Sequence, residues 1–123
     1  MRAPLLVSAV VSSVSLIAIY AYAAEVSVCS LAADPKGYDH QHMNLRGAVT
    51  DLKETRSQRG NDYTLFKLQA PGPCEVKVFV WGHPALHDGD HVCVDGTYTT
   101  EVHQGRYTFF DEIQADTART CGD

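Results

Sequence analysis

The run from Met43, MNLRGAVTDLKETRSQRGNDYTLFKLQ, is answered later by GDHVCVDGTYTTEVHQGRYTFFDEIQA. Together they read as five short strands separated by glycine-marked turns. The first strand crosses Gly47 and the fourth crosses Gly96. A glycine inside a strand marks a sharp bend or a close backbone approach, as where a strand curls around a small barrel. Short strands at this spacing predict an all-β barrel or sandwich.

The strand faces follow from period-two alternation. In the first strand Leu45, Gly47 and Val49 alternate with Asn44, Arg46 and Ala48. Residues 53–61 (KETRSQRGN) read as a polar loop. The second strand, Tyr63 to Gln69, turns Phe66 and Leu68 inward. Ala70-Pro71-Gly72-Pro73 is a turn, and Cys74 to Trp81 is the third strand. There Val76, Val78 and Val80 share one face, with Phe79 and Trp81 on the other. Gly82 to Asp90 is a loop with room for one helical turn. Strand four runs from about His91 to Val102, with Val92, Val94 and Tyr98 inward, and strand five from about Arg106 to Ala115. Ahead of the barrel, Val26 to Ala33 reads as a two-turn helix stopped by Asp34-Pro35-Lys36-Gly37.

The N-terminus reads as an export signal. Arg2 supplies a positive charge, residues 5–24 carry none, and Ala21-Tyr22-Ala23 has small residues where a signal peptidase reads. Cleavage after Ala23 is the expectation, with an uncleaved anchor as the alternative, since the apolar stretch is about long enough to span. Removing residues 1–23 from the 123 leaves 100 residues, one domain over 24–123, placed in the periplasm or secreted. All four cysteines, Cys29, Cys74, Cys93 and Cys121, fall in that part. An even count in an oxidising compartment predicts two disulfides, and four cysteines allow three pairings. No Cys-x-x-Cys spacing occurs, which argues against a redox pair.

The chain carries −5, and without Arg2 it stands at −6, from 9 Lys and Arg against 15 Asp and Glu. A protein that neutralises a long run of phosphates needs the opposite balance.

The strand pattern resembles the OB-fold, a five-stranded Greek-key barrel, here with a short N-terminal helix. The resemblance rests on residues 45–49, 63–68, 89–96 and 112–115, with the lead-in of residues 30–39 similar to the helix of exported bacterial OB-fold proteins. It covers about residues 26–116. Proteins of this kind are often labelled nucleic-acid binding by fold alone. The resemblance implies a ligand lying across strands two and three, near the loops joining strands one–two and four–five. Carried onto this chain, that face holds Tyr63, Lys67, Lys77, Phe79 and Trp81, with Arg56 and Arg59 in the first loop. It also implies that Cys93 on strand four lies near Cys121, leaving Cys29 for Cys74; Cys29–Cys121 is the alternative. A related exported family, the haem chaperones of cytochrome c maturation, uses His-x-x-x-Tyr after the barrel. His103 and Tyr107 have that spacing within the hairpin of strands four and five, so we take the match as chance and expect no cofactor.

With the valine face inward, Phe79 and Trp81 stand outside. They either stack on ligand rings, lie beneath the N-terminal helix or C-terminal tail, or form an oligomer interface. His83, His87 and His91 lie near Asp88 and Asp90, an imidazole and carboxylate set suited to zinc, copper or nickel. The alternative is a solvated loop. No nucleophile elbow, His-Glu-x-x-His or phosphate loop is present, and Asp111 and Glu112, as strand neighbours, should face apart. The sequence therefore predicts a non-catalytic extracytoplasmic binding module for a small ligand, an oligosaccharide or a protein partner, with no membrane insertion after signal cleavage. Single-stranded nucleic acid binding and weak metal binding are the alternatives.

Overall fold

The computed structural model describes residues 24–122, so the export signal over residues 1–23 lies outside the described residues. The elements are β1 (Ala24–Glu25), α1 (Val28–Ala33), a 3-10 turn (Pro35–Tyr38), β2 (His42–Arg56), β3 (Asp62–Ala70), β4 (Cys74–Trp81), β5 (His91–Gln104) and β6 (Tyr107–Thr120). The five predicted strands are β2 to β6. The two-residue β1 is additional and pairs parallel with Met43 and Asn44.

All strands join one sheet, in the order β1-β2-β3-β4-β6-β5, and β5 pairs again with β2. The pairing is therefore a closed circuit. Strand β2 closes it by serving two neighbours in turn. His42–Ala48 pairs antiparallel with β5, and Ala48–Arg56 pairs antiparallel with β3. Strands β4 and β6 pair in parallel, and β5 and β6 form a long antiparallel hairpin. Such a curl needs close backbone approach at two glycines. A Cβ on Gly47 would sit 2.7 Å from the Gln69 carbonyl oxygen, and one on Gly96 would collide with that of Gln114. A bulge between Thr50 and Lys53, with Asp51 at φ 52°, adds to the bend of β2.

The predicted inward faces meet inside the circuit. Leu45, Val49, Phe66, Leu68, Val76, Val78, Val80, Val92, Val94 and Tyr98 are all buried, with Met43 and Ile113 beside them. Val28 and Leu31 from α1 and Leu86 from the β4–β5 loop complete this core.

Several boundaries differ from the sequence reading. The helix begins at Val28 because the Ser27 hydroxyl caps it, accepting from the Ser30 N–H at 3.0 Å. Val26 stays extended and donates to the Asn44 carbonyl at 2.9 Å. The stop at Asp34–Gly37 becomes a 3-10 turn that Asp34 caps. The polar stretch from Lys53 is strand as far as Arg56, because its backbone pairs with Tyr63–Leu65 and Arg56 reaches Asp62 at 3.0 Å. Polarity there records solvent on both sides of a paired strand end. Strand β6 runs on to Thr120 because Val92–Asp95 of β5 offers a partner. Gly82–Asp90 holds no helical turn.

Two disulfides form, Cys29–Cys74 and Cys93–Cys121. The first ties α1 to the start of β4, and the second ties the residue just after β6 to β5. Disulfides belong to oxidising, extracytoplasmic surroundings. Among the described residues no helix is long and apolar enough to cross a membrane.

The close approach at Gly96 gives a direct test. Gly96→Ala should cost about 1–3 kcal/mol of stability, because backbone rather than a flexible side chain must yield. Thermal melting should fall by roughly 5–15 °C. Gly122→Ala, with open space around its Cβ, should melt like the parent.

Candidate ligand-binding cleft

The outer face of β3 and β4 places Tyr63 opposite Trp81, Leu65 opposite Phe79 and Lys67 opposite Lys77. Three of these side chains form an aromatic cluster. The Tyr63 and Phe79 rings stack at 5.2 Å, and the Trp81 ring meets Phe79 edge-on at 4.9 Å. Such geometries follow from the ring quadrupole.

The cluster is not an open platform. Phe79 is 2% exposed, whereas Trp81 is 54% exposed. The cover comes from the β5–β6 hairpin. Strand β6 pairs with β4 over Glu112–Ala115, and the β5–β6 hairpin continues beyond that pairing to its turn. Its extension lays Phe109 against Phe79, with ring centroids 6.0 Å apart, and Tyr107 stands next to Phe109.

Between this arm, the Ser57–Asn61 turn and the aromatic face lies a cleft of about 420 Å3. Its walls carry the rings of Tyr63, Phe79, Trp81, Tyr107 and Phe109. Its rim carries Arg56, Arg59 and Arg106, and no Asp or Glu lines it. In an acidic protein this is a local reversal of sign. Arg56 is held by Asp62, and that hydrogen bond keeps the Asp62 carboxyl below the usual range. Arg59 and Arg106 have no ion pair among the described residues, so their guanidinium groups are available to an incoming anion.

Five of the seven residues expected to bind ligand thus meet in one cleft. Lys67 and Lys77 do not join them. They line a second groove of about 340 Å3 on the far side of Phe109, with Lys53, Phe110 and Glu112. Lys67 is also engaged by Asp51 at 3.4 Å and Glu75 at 3.8 Å. Arg106, Tyr107 and Phe109 were not among the residues expected at the ligand face; Tyr107 stood out in the sequence only by its spacing from His103. Their signal was the Arg-Tyr-Thr-Phe run just after the hairpin glycine, where alternate aromatics share a face.

The histidine loop is not drawn together. His83 places Nε2 3.1 Å from the Thr55 carbonyl and Nδ1 3.9 Å from the carboxylates of Glu54 and Asp62. His87 projects into solvent beside Asp90, and His91 opens β5 opposite Ala48. No set of three donor atoms within 4.8 Å of one another includes them among the described residues. His103, at the hairpin end, contacts the Thr108 hydroxyl at 3.0 Å.

Asp111 and Glu112 face different grooves, as strand neighbours should. Asp111 accepts from the buried Tyr98 hydroxyl at 3.1 Å. Burial of Tyr98, reinforced by that carboxylate, pushes its pKa up to about 12. Glu112 is 2% exposed. Burial raises its pKa to about 6, against the pull of the Gln114 amide, 2.7 Å from Oε1, and of the Lys77 charge.

The chain matches no protein-family model and no curated protein sequence. The residues of the cleft therefore carry the functional argument.

The raised pKa of Glu112 has a measurable consequence. The folded protein binds its proton more tightly than the unfolded chain, for which 4.5 is the ordinary value. Stability from this group is thus lost as pH rises from about 4.5 to about 6, and stays lost above. Glu112→Gln keeps an acceptor for Gln114 and removes the buried charge. It should stabilise the protein at pH 7.5 by roughly 1–2 kcal/mol in denaturant unfolding, with the gain vanishing below about pH 4.5.

Proposed function

We propose that this protein is a non-catalytic binding module of the OB-fold type, working outside the cytoplasm. Its cleft would take a small ligand or short oligosaccharide that combines a ring with negative charge. The closed pairing circuit, with the third and fifth long strands parallel, supports the fold assignment. The cleft also lies where the resemblance implies, across β3 and β4 between the β2–β3 turn and the β5–β6 hairpin.

One observation carries the reading: five aromatic rings and three arginines share a cleft without a carboxylate. Rings give stacking area, and guanidinium groups give bidentate contacts to carboxylate, sulfate or phosphate. A volume of about 420 Å3 lies within the small-ligand range of roughly 300–1,000 Å3.

The same composition favours a second reading, a short single-stranded nucleic acid stacked on the rings. Net acidity weighs against long strands, since three arginines can neutralise few phosphates.

Trp81 is the sole tryptophan and lies in the cleft, so it reports on occupancy. Titration with uronic-acid and sulfated oligosaccharides, their neutral counterparts and a short oligothymidylate should change its fluorescence only with the anionic members. Arg59→Glu should weaken binding by about 1.5–3 kcal/mol, the scale of a charge-assisted hydrogen bond. Loss of Trp81 in Trp81→Ala should abolish calorimetric binding while melting stays cooperative. An equal response to neutral and anionic sugars would sink the arginine part of the reading. Steep salt dependence with oligothymidylate alone would select the second one.

A further inference from the structure

We propose that His42, Asp95 and Asp116 form a binding site for a divalent transition metal, with Zn2+ the best match. The three lie on adjacent strands β2, β5 and β6 and share no residue with the cleft. His42 pairs with Thr97, two residues from Asp95, so the two side chains are diagonal neighbours on one face. Asp116 reaches them through a β-bulge. Asp95 pairs with Thr117 and Gly96 with Ala115, which leaves Asp116 as the extra residue of β6. Bulges re-aim side chains in this way.

The imidazole Nε2 lies 3.2 Å from Asp116 Oδ2 and 3.4 Å from Asp95 Oδ1. Ligands held at about 2.0–2.1 Å on a tetrahedral ion are separated by about 3.3–3.4 Å; one distance falls there, the other is slightly shorter, and all three atoms lie within 4.8 Å of one another. Hydrogen bonding within the protein does not account for the cluster. One imidazole nitrogen carries at most one proton, which can satisfy one carboxylate oxygen. The other, Asp95 Oδ1, is shielded from solvent and accepts no hydrogen bond among the described residues. A cation between the three atoms satisfies both carboxylates and the imidazole lone pair together. The donor set, one nitrogen and two anionic oxygens, suits Zn2+ and its divalent neighbours. His42 and Asp116 are exposed, which leaves a water or an external group free to take the fourth position.

The test is calorimetric titration of Zn2+ alone into tag-free, chelator-treated protein, with Co2+ absorption as a readout of geometry. Micromolar or tighter binding is expected, with a tetrahedral Co2+ spectrum. His42→Ala and Asp116→Asn should each weaken binding by about tenfold or more, equivalent to about 1.4 kcal/mol. Asp116 is well exposed, so its variant should fold. At the same Zn2+ concentration the melting temperature of the parent should rise clearly more than that of Asp116→Asn. The double variant His83→Ala/His87→Ala should bind as the parent does. A dissociation constant weaker than about 1 mM, or affinity unchanged in both single variants, overturns the site.

Discussion

The structure depends on β2 pairing with two strands in succession. Its first half is hydrogen-bonded to β5 and its second half to β3, with Ala48 as the point of exchange. A two-layer sandwich would not need one strand to do this. Because β2 does, the alternating apolar residues of five strands face a common interior. The edge of β2 that β3 does not reach is taken by β1, paired at Met43 and Asn44. Unpaired sheet edges invite wrong partners, and this short strand removes one at small cost in chain length.

Closure explains the backbone demands. Gly47 and Gly96 stand where neighbouring carbonyls come closer than any Cβ permits. The bulges in β2 and between β5 and β6 absorb the remaining mismatch in strand length. The disulfides tie two segments outside the pairing circuit to it, the helix α1 and the residue just after β6. In a domain of this size the apolar core is modest, and such staples supply a substantial share of stability.

The cleft arises where the β5–β6 hairpin leaves the sheet. Strand β6 parts from β4 before Glu112, next to Asp111 at φ 52°, and the hairpin lies across the outer face so that Phe109 packs on Phe79. That arrangement buries Phe79, leaves Trp81 at the mouth and sets Arg106 facing the Arg56–Arg59 turn across a shared cavity. Phe109 divides the outer face in two. Arginines lie on one side, and lysines balanced by Asp51, Glu75 and Glu112 lie on the other.

Much of this was legible in the chain. Alternation identified the inward residues of β2 to β5, and the glycines at 47 and 96 marked the bends, because both signals arise from neighbours in sequence. The outward aromatics of β4 and the basic turn at Arg56 and Arg59 were visible for the same reason. What the tertiary structure decided was which distant side chains meet. The burial of Phe79 by Phe109, the separation of Lys67 and Lys77 from the cleft, and the meeting of His42 with Asp95 and Asp116 all depend on strand register. Register and hairpin overhang follow from how the closed circuit shares its backbone hydrogen bonds. No local pattern in the sequence encodes that sharing.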